Sequence, residues 1–125
     1  MANKMFDFCI GNPPYNREFT VEGNKTYAEP VYNDFMDAAS EVADKVELIH
    51  PARFLFNAGS TPKAWNQKML NDPHFKILRY EADASVIFPS TAINGGIAIS
   101  YHDSGKTFGA IEIFCKFNAI RLCKH

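Results

Sequence analysis

The 125-residue chain has no uninterrupted apolar run of about 18 residues, so no part of it reads as a membrane span. The opening Met1-Ala2-Asn3-Lys4 leads into a short strand-like segment, without the long apolar stretch and small-residue cleavage site of a secretory signal. Cysteine is scarce. Cys9, Cys115 and Cys123 lie far apart, make no CxxC pair and leave an odd count, so neither a zinc site nor a disulfide framework is expected. A reducing cytoplasm is the expected setting. The four histidines show no metal-ligand spacing. Neither sign of charge is in excess, the formal net charge being −1. A self-sufficient nucleic-acid binder usually carries a basic surplus, because neutralising phosphates supplies much of its affinity. Strong DNA binding by these residues alone is therefore not expected, although a local basic patch, or a specificity domain in a longer parent, is compatible with this balance.

What is present is enough chain for one domain with one core, rich in aromatics through eleven Phe. Residues 5–10 (MFDFCI) form a short apolar run ended by Gly11 and two prolines, the pattern of a buried strand that stops abruptly. Residues 16–29 are polar and read as a long loop. The spacing predicts a helix over 30–43, with Pro30 in its first turn and Val31, Phe35, Ala38, Ala39 and Val42 on one apolar stripe. Tyr32 and Phe35 read as helix-face core rather than site residues. A strand over 46–50 follows, ended by Pro51. Thr61-Pro62 reads as the cap and first residue of a second helix through Trp65, Met69 and Leu70, stopped at Asn71-Asp72-Pro73. Residues 75–82 read as a strand. The apolar runs 96–102 and 107–114, flanking Asp103-Ser104-Gly105-Lys106, carry a β-hairpin signature.

Strand, helix, strand, helix, strand, hairpin is the rhythm of an α/β fold: the second half of a doubly wound, Rossmann-like sheet with an antiparallel hairpin at its edge. The first half, where a Gly-rich turn usually meets a nucleotide, has no counterpart before Gly11. Ser104-Gly105-Lys106-Thr107 ends like a phosphate-binding loop. However, Ser100 stands where that pattern needs a glycine, and a strand rather than a helix is expected to follow.

The residues with chemistry to offer are Asn12-Pro13-Pro14-Tyr15, delivered by an apolar strand to the carboxyl end of a sheet, where ligands bind in open α/β folds. A bare Pro-Pro would only break a strand; the Asn before it and the Tyr after it add function. The exocyclic amine of adenine is a poor nucleophile, because its lone pair is delocalised into the ring. A site that methylates it must accept both N–H bonds so that the nitrogen can pyramidalise. The Asn12 side-chain carbonyl supplies one acceptor, and the Pro13 backbone carbonyl can supply the other, held by two prolines of fixed φ. Tyr15 offers a flat face for an extruded base. Such stacking is worth roughly 1–3 kcal/mol per base, which repays part of the cost of flipping.

This segment resembles the signature motif of the adenine-N6 and cytosine-N4 DNA methyltransferases; Asn first and Tyr last is the commoner form among adenine enzymes, and the flanking Phe6-Asp7 and Ile10-Gly11 fit the same group. The resemblance runs to about Phe114. Leu48-Ile49-His50-Pro51-Ala52-Arg53-Phe54-Leu55 looks like the family's next strand and turn; Val86-Ile87-Phe88-Pro89 and Gly95-Gly96-Ile97-Ala98-Ile99 look like its late aromatic motif and edge hairpin. The best match is to methyltransferases of restriction-modification systems in which modification and cleavage are often fused. The resemblance implies a class I methyltransferase sheet, with residues 1–114 as a partial catalytic domain and 115–125 as a divergent tail. It implies double-stranded DNA with a flipped adenine as substrate, Asn12, Pro13, Pro14 and Tyr15 as catalytic residues, and Tyr15 and Phe88 as stacking partners of the base. It also implies S-adenosylmethionine as cofactor, touched here only along one edge by Asp7, Gly11 and Asn12. The expected function is that of a methyltransferase fragment carrying the target-adenine pocket, inactive alone. The alternative is a non-catalytic module that binds DNA or another methyltransferase subunit, with a homodimer or an N-terminal half as partner.

Overall fold

The computed structural model describes residues 4–21, 23 and 25–115. Strands β1 (Phe6–Gly11), β4 (Ala43–Pro51), β5 (Phe75–Glu81) and β6 (Ile97–Asp103) form one sheet in the order β1-β4-β6-β5. Strands β2 (Asn16–Val21) and β3 (Lys25–Pro30) form a separate antiparallel pair, and the helices are α1 (Tyr32–Val42) and α2 (Lys63–Leu70). β1 is parallel to β4, while β6 is antiparallel to both β4 and β5. Three strands therefore share one direction and β6 runs against them, a mixed α/β sheet.

The expected hairpin of 96–102 with 107–114 does not form. β6 is a central strand whose two edges are taken by β4 and β5, so no ladder remains for the segment after it. That segment instead binds the end of α2 and its turn: Phe108 N–H donates to the Pro73 carbonyl (2.7 Å) and Glu112 N–H to the Leu70 carbonyl (2.9 Å). Asp103-Ser104-Gly105-Lys106 is a turn, as its composition suggests. The Asp103 carboxylate accepts from Gly105 N–H (2.9 Å), which holds its carboxyl below the ordinary range. No helix follows, so the phosphate-loop alternative is set aside.

Residues 16–29, expected to be a loop, are the β2–β3 hairpin. Arg17 stands opposite Glu29, where the two side chains make an ion pair, and Thr20 stands opposite Thr26. Gly23, at φ +95°, serves the turn between them. Pro30 closes β3, so α1 begins at Tyr32, later than expected. Its buried face is Tyr32, Asn33, Met36 and Ala39, not the stripe through Phe35 and Ala38. Both faces have helical period; the one with the larger Tyr32 ring and Met36 goes inward, and Phe35 is left exposed. At α2 the backbone of Pro62 (ψ 138°) is not helical, so the helix starts at Lys63. The Thr61 hydroxyl donates to the Asn66 side chain (2.6 Å) instead of capping.

The core lies on one face of the sheet. Val46 and Leu48 of β4 meet Tyr32 and Met36 of α1 and Trp65, Met69 and Leu70 of α2 around the fully buried Phe54. The Phe54 ring centroid is 4.9 Å from that of Trp65 and 5.4 Å from that of His50. β1 is not the buried strand its composition suggests. It is an edge strand paired only with β4, and Phe6, Phe8 and Ile10 are 56%, 65% and 75% exposed. Among the described residues both helices pack on the opposite face, so nothing covers this row. Cys9, on the inward side of β1, is a free half-buried thiol. Cys115 is disulfide-bonded, a pairing that the spacing of the cysteines did not suggest. Cys123 and the rest of the 116–125 tail lie outside the described residues.

Candidate active site

The four motif residues leave the carboxyl end of β1 without regular structure. Asn12 and Pro14 are exposed, and Pro13 and Tyr15 half-buried. The Tyr15 carbonyl accepts from the N–H groups of Val31 (3.0 Å) and Tyr32 (3.4 Å), which ties the motif to the start of α1. These are N–H groups that a helix leaves without an internal partner, so the motif serves as their acceptor. The Tyr15 ring packs against the core, its hydroxyl oxygen is buried with no hydrogen-bond partner, and burial pushes the phenol above its ordinary range.

Tyr15 borders a cleft of about 310 Å³. Asn16 continues its wall from the motif, Tyr32 forms the floor, Arg53 and Ser60 come from the segment after β4, and Asn94 comes from the loop before β6. Burial pushes the Tyr32 phenol up to about 12, opposed by a hydrogen bond with Thr61 and the positive charge of Arg53. The 3-10 turn Ala84–Val86 opens the loop over the cleft. Asp83 caps it by accepting from Ser85 N–H (3.0 Å) and the Ser85 hydroxyl (2.6 Å), bonds that hold the Asp83 carboxyl below its usual range. Phe88 is half-buried in this loop, its N–H donating to the Ala84 carbonyl (2.8 Å). The cleft thus joins Tyr15 to the loop that carries Phe88, but Ile93 and Asn94 rather than Phe88 line it.

The three residues expected along the cofactor edge stand apart from the cleft. Asp7, Gly11 and Asn12 are all exposed, and a Cβ built on Gly11 meets nothing closer than Leu48 at 4.0 Å. They present an open edge, not a cradle, and do not by themselves enclose a group the size of S-adenosylmethionine. His50, which ends a strand near the cleft, is fully buried and does not line it. The sequence reasoning missed Arg53 and Asn94. No local sequence pattern marked either residue. Among the described residues no group of three His, Cys, Asp or Glu could hold a metal ion, and no helix is long and apolar enough to cross a membrane.

The model of the Eco57I restriction-modification methylases matches residues 1–88, a span that includes the motif and ends at Phe88. The chain belongs to the Eco57I restriction-modification methylase family. A protein of Mycoplasma pneumoniae (strain ATCC 29342 / M129 / Subtype 1) described as an uncharacterized adenine-specific methylase is 28% identical to it over 93 residues. That match covers 74% of this chain and 22% of the relative, so this Eco57I-family chain spans under a quarter of the curated relative's length. No solved structure matches.

Proposed function

We propose that this chain carries the target-base side of an adenine-N6 DNA methyltransferase of a restriction-modification system. The observation that carries the proposal is the placement of Tyr15. It directly follows Asn12-Pro13-Pro14 at the carboxyl end of β1, and it borders a cleft that the 92–94 stretch also lines. Asn12 is exposed and Pro13 half-buried, and neither lines the cleft; in this reading the Asn12 side-chain carbonyl and the Pro13 backbone carbonyl accept from the target amine when the nucleotide spans the motif and the cleft. Two acceptors drawing on the two N–H bonds raise the electron density on the nitrogen as it takes the methyl group. Tyr15 holds the base plane, and Phe88, carried by the loop on the far side, is the second aromatic once that loop closes on a base. The family membership and the adenine-specific relative support this reading.

The methyl donor in this family resemblance is S-adenosylmethionine. Asp7, Gly11 and Asn12 form an edge and not a pocket, which supports a reading in which the chain needs a separate cofactor-binding half for activity. The test supplies that half in trans, with methyl transfer to DNA as the readout. Activity is expected only for the mixture, and Asn12→Ala is expected to remove it. Turnover by the isolated chain, or an unimpaired Asn12→Ala, would sink the assignment.

A second role is favoured by one observation, the exposed row Phe6, Phe8 and Ile10 on an edge strand. It suits a protein partner better than DNA, since it is apolar and the chain has no basic surplus. The partner is a methyltransferase half or a second copy of this chain.

A further inference from the structure

Among the described residues, Arg53 is the only charged one lining the cleft. It makes no ion pair or side-chain hydrogen bond among the described residues, where Arg17 and Arg79 each sit beside a glutamate. Its exposed side chain is nevertheless closely held. A Cβ built on Gly95 would fall 2.1 Å from Arg53 Cγ, and one built on Gly59 would fall 3.3 Å from Arg53 Cβ. Both glycines adopt left-handed backbone, φ +86° and +83°. Gly95 is anchored in turn by the Tyr80 hydroxyl, which donates to its carbonyl (3.1 Å). Two glycines thus form a slot that grips the aliphatic stem, while the head remains at the cleft. Packing of the stem offsets part of the rotamer freedom such a slot removes, and leaves the guanidinium held without a partner among the described residues. A guanidinium ordered before its partner arrives loses less on binding one.

The rest of the cleft narrows the partner. Tyr15 and Ile93 offer flat and apolar surface, and Asn16, Ser60 and Asn94 offer neutral hydrogen-bonding groups. A ligand that fits all of these has a planar ring at one end and an anion at the other, which describes a nucleotide. We propose that Arg53 is the phosphate anchor of this cleft, its guanidinium donating to a phosphate oxygen of the nucleotide whose base lies against Tyr15. The proposal rests on the reading of Tyr15 as a base platform and adds the group that fixes the backbone of the same nucleotide.

The test measures binding of four probes to the full chain by heteronuclear NMR titration: 2′-deoxyadenosine, its 5′-monophosphate, its 3′-monophosphate and inorganic phosphate. At least one monophosphate is expected to bind roughly tenfold tighter than the nucleoside, the increment of a charge-assisted hydrogen bond. Arg53→Met should erase that difference, while Arg53→Lys, which keeps the charge and stem but lacks the fork, should retain part of it. Equal affinities for the nucleoside and both monophosphates in the unaltered chain overturn the anchor and spare the base platform, whether or not either variant folds. Arg53-dependent binding of phosphate with no binding of nucleoside keeps the anion site and overturns the base platform. If no probe binds, both fail.

Discussion

The Nε2 atom of His50 lies 2.7 Å from the Ser100 hydroxyl, and both side chains are buried. A His–Ser contact of this length is the geometry of an activated nucleophile, but burial denies it any substrate. Its role is structural. Nδ1 carries the proton, because its partner at 2.9 Å is the Pro51 carbonyl, which can only accept. Nε2 is then the acceptor and Ser100 the donor, an arrangement that needs a neutral imidazole. Burial accordingly lowers the His50 pKa from 6.5 to about 4. The unfolded chain thus binds a proton that the folded chain refuses. Stability from this group is complete above pH 6.5 and is lost as the pH falls to about 4. The loss is expected to reach roughly 3 kcal/mol. Urea unfolding at several pH values checks it: His50→Phe should flatten the profile across that window, and an equal slope in both proteins would remove His50 as the cause.

Phe54 is expected to be the costliest single truncation. It is fully buried, and its ring lies near those of Tyr32, His50, Trp65 and Phe75. Phe54→Ala should destabilise by about 3–5 kcal/mol, a large share of a typical domain's total. Phe35→Ala, on the exposed face of α1, should change stability by no more than about 0.5 kcal/mol. Chemical denaturation midpoints of the two variants measure the contrast, and similar losses would mean that α1 packs by the face first expected from its sequence.

That contrast also shows how much of the fold was legible. The helix itself was visible in the spacing of its apolar residues, but Val31-Phe35-Ala38 and Tyr32-Met36-Ala39 have the same period. Periodicity identifies a helix without saying which of two stripes the sheet will take. β6 was visible as an apolar run, but its partners were not. Whether residues 107–114 or 75–81 pair with it depends on which strand reaches its edge first in space, and no local pattern encodes that. The β2–β3 hairpin was hidden by polar composition, because a two-stranded arm outside the core needs no apolar alternation. At the site, Asn12 to Tyr15 were legible because their chemistry is contiguous in sequence. Arg53 was not, because the slot that gives it meaning is made by Gly59 and Gly95, which only folding brings to its stem.

Gly96 should be far less replaceable than Gly109. Both have left-handed backbone, φ +80° and +90°, so alanine at either incurs the roughly 1–2 kcal/mol of that conformation. Around Gly109 a Cβ meets nothing within 4 Å; at Gly96 it would sit 2.4 Å from the Glu81 carbonyl oxygen and 2.8 Å from Ala82 Cα. The Gly96 carbonyl also accepts from Ala52 N–H (3.0 Å), so the backbone cannot retreat without breaking the turn that presents Arg53. Gly96→Ala is expected to cost about 1–3 kcal/mol more than Gly109→Ala, the range for forcing extra atoms into a packed site. Thermal denaturation of the pair decides it, and equal losses would show that the 82–96 loop is not held against β5 as described.

The two edges of the sheet are defended unequally, and this predicts where the chain associates. β5 carries Lys76, Arg79 and Glu81 and a register shift between Ile77 and Arg79, features that discourage a further strand. β1 has no such irregularity, and its exposed row is Phe6, Phe8 and Ile10. The nearest cation, Lys45, lies over the Phe8 ring at 5.5 Å, so its charge is directed onto the apolar row, not out along the edge. An antiparallel pairing of two β1 strands centred on Phe8 would set Phe6 against Ile10 and repeat the contact on the other side, the self-complementarity that a two-fold interface requires. The chain alone is therefore expected to show concentration-dependent association in sedimentation velocity, and the double substitution Phe8→Ser, Ile10→Ser should return it to monomer. Adding a cofactor-binding half should compete with that association if it docks on the same edge. A monomer at high concentration would refute the self-pairing, and association unaffected by the double substitution would move the interface away from β1.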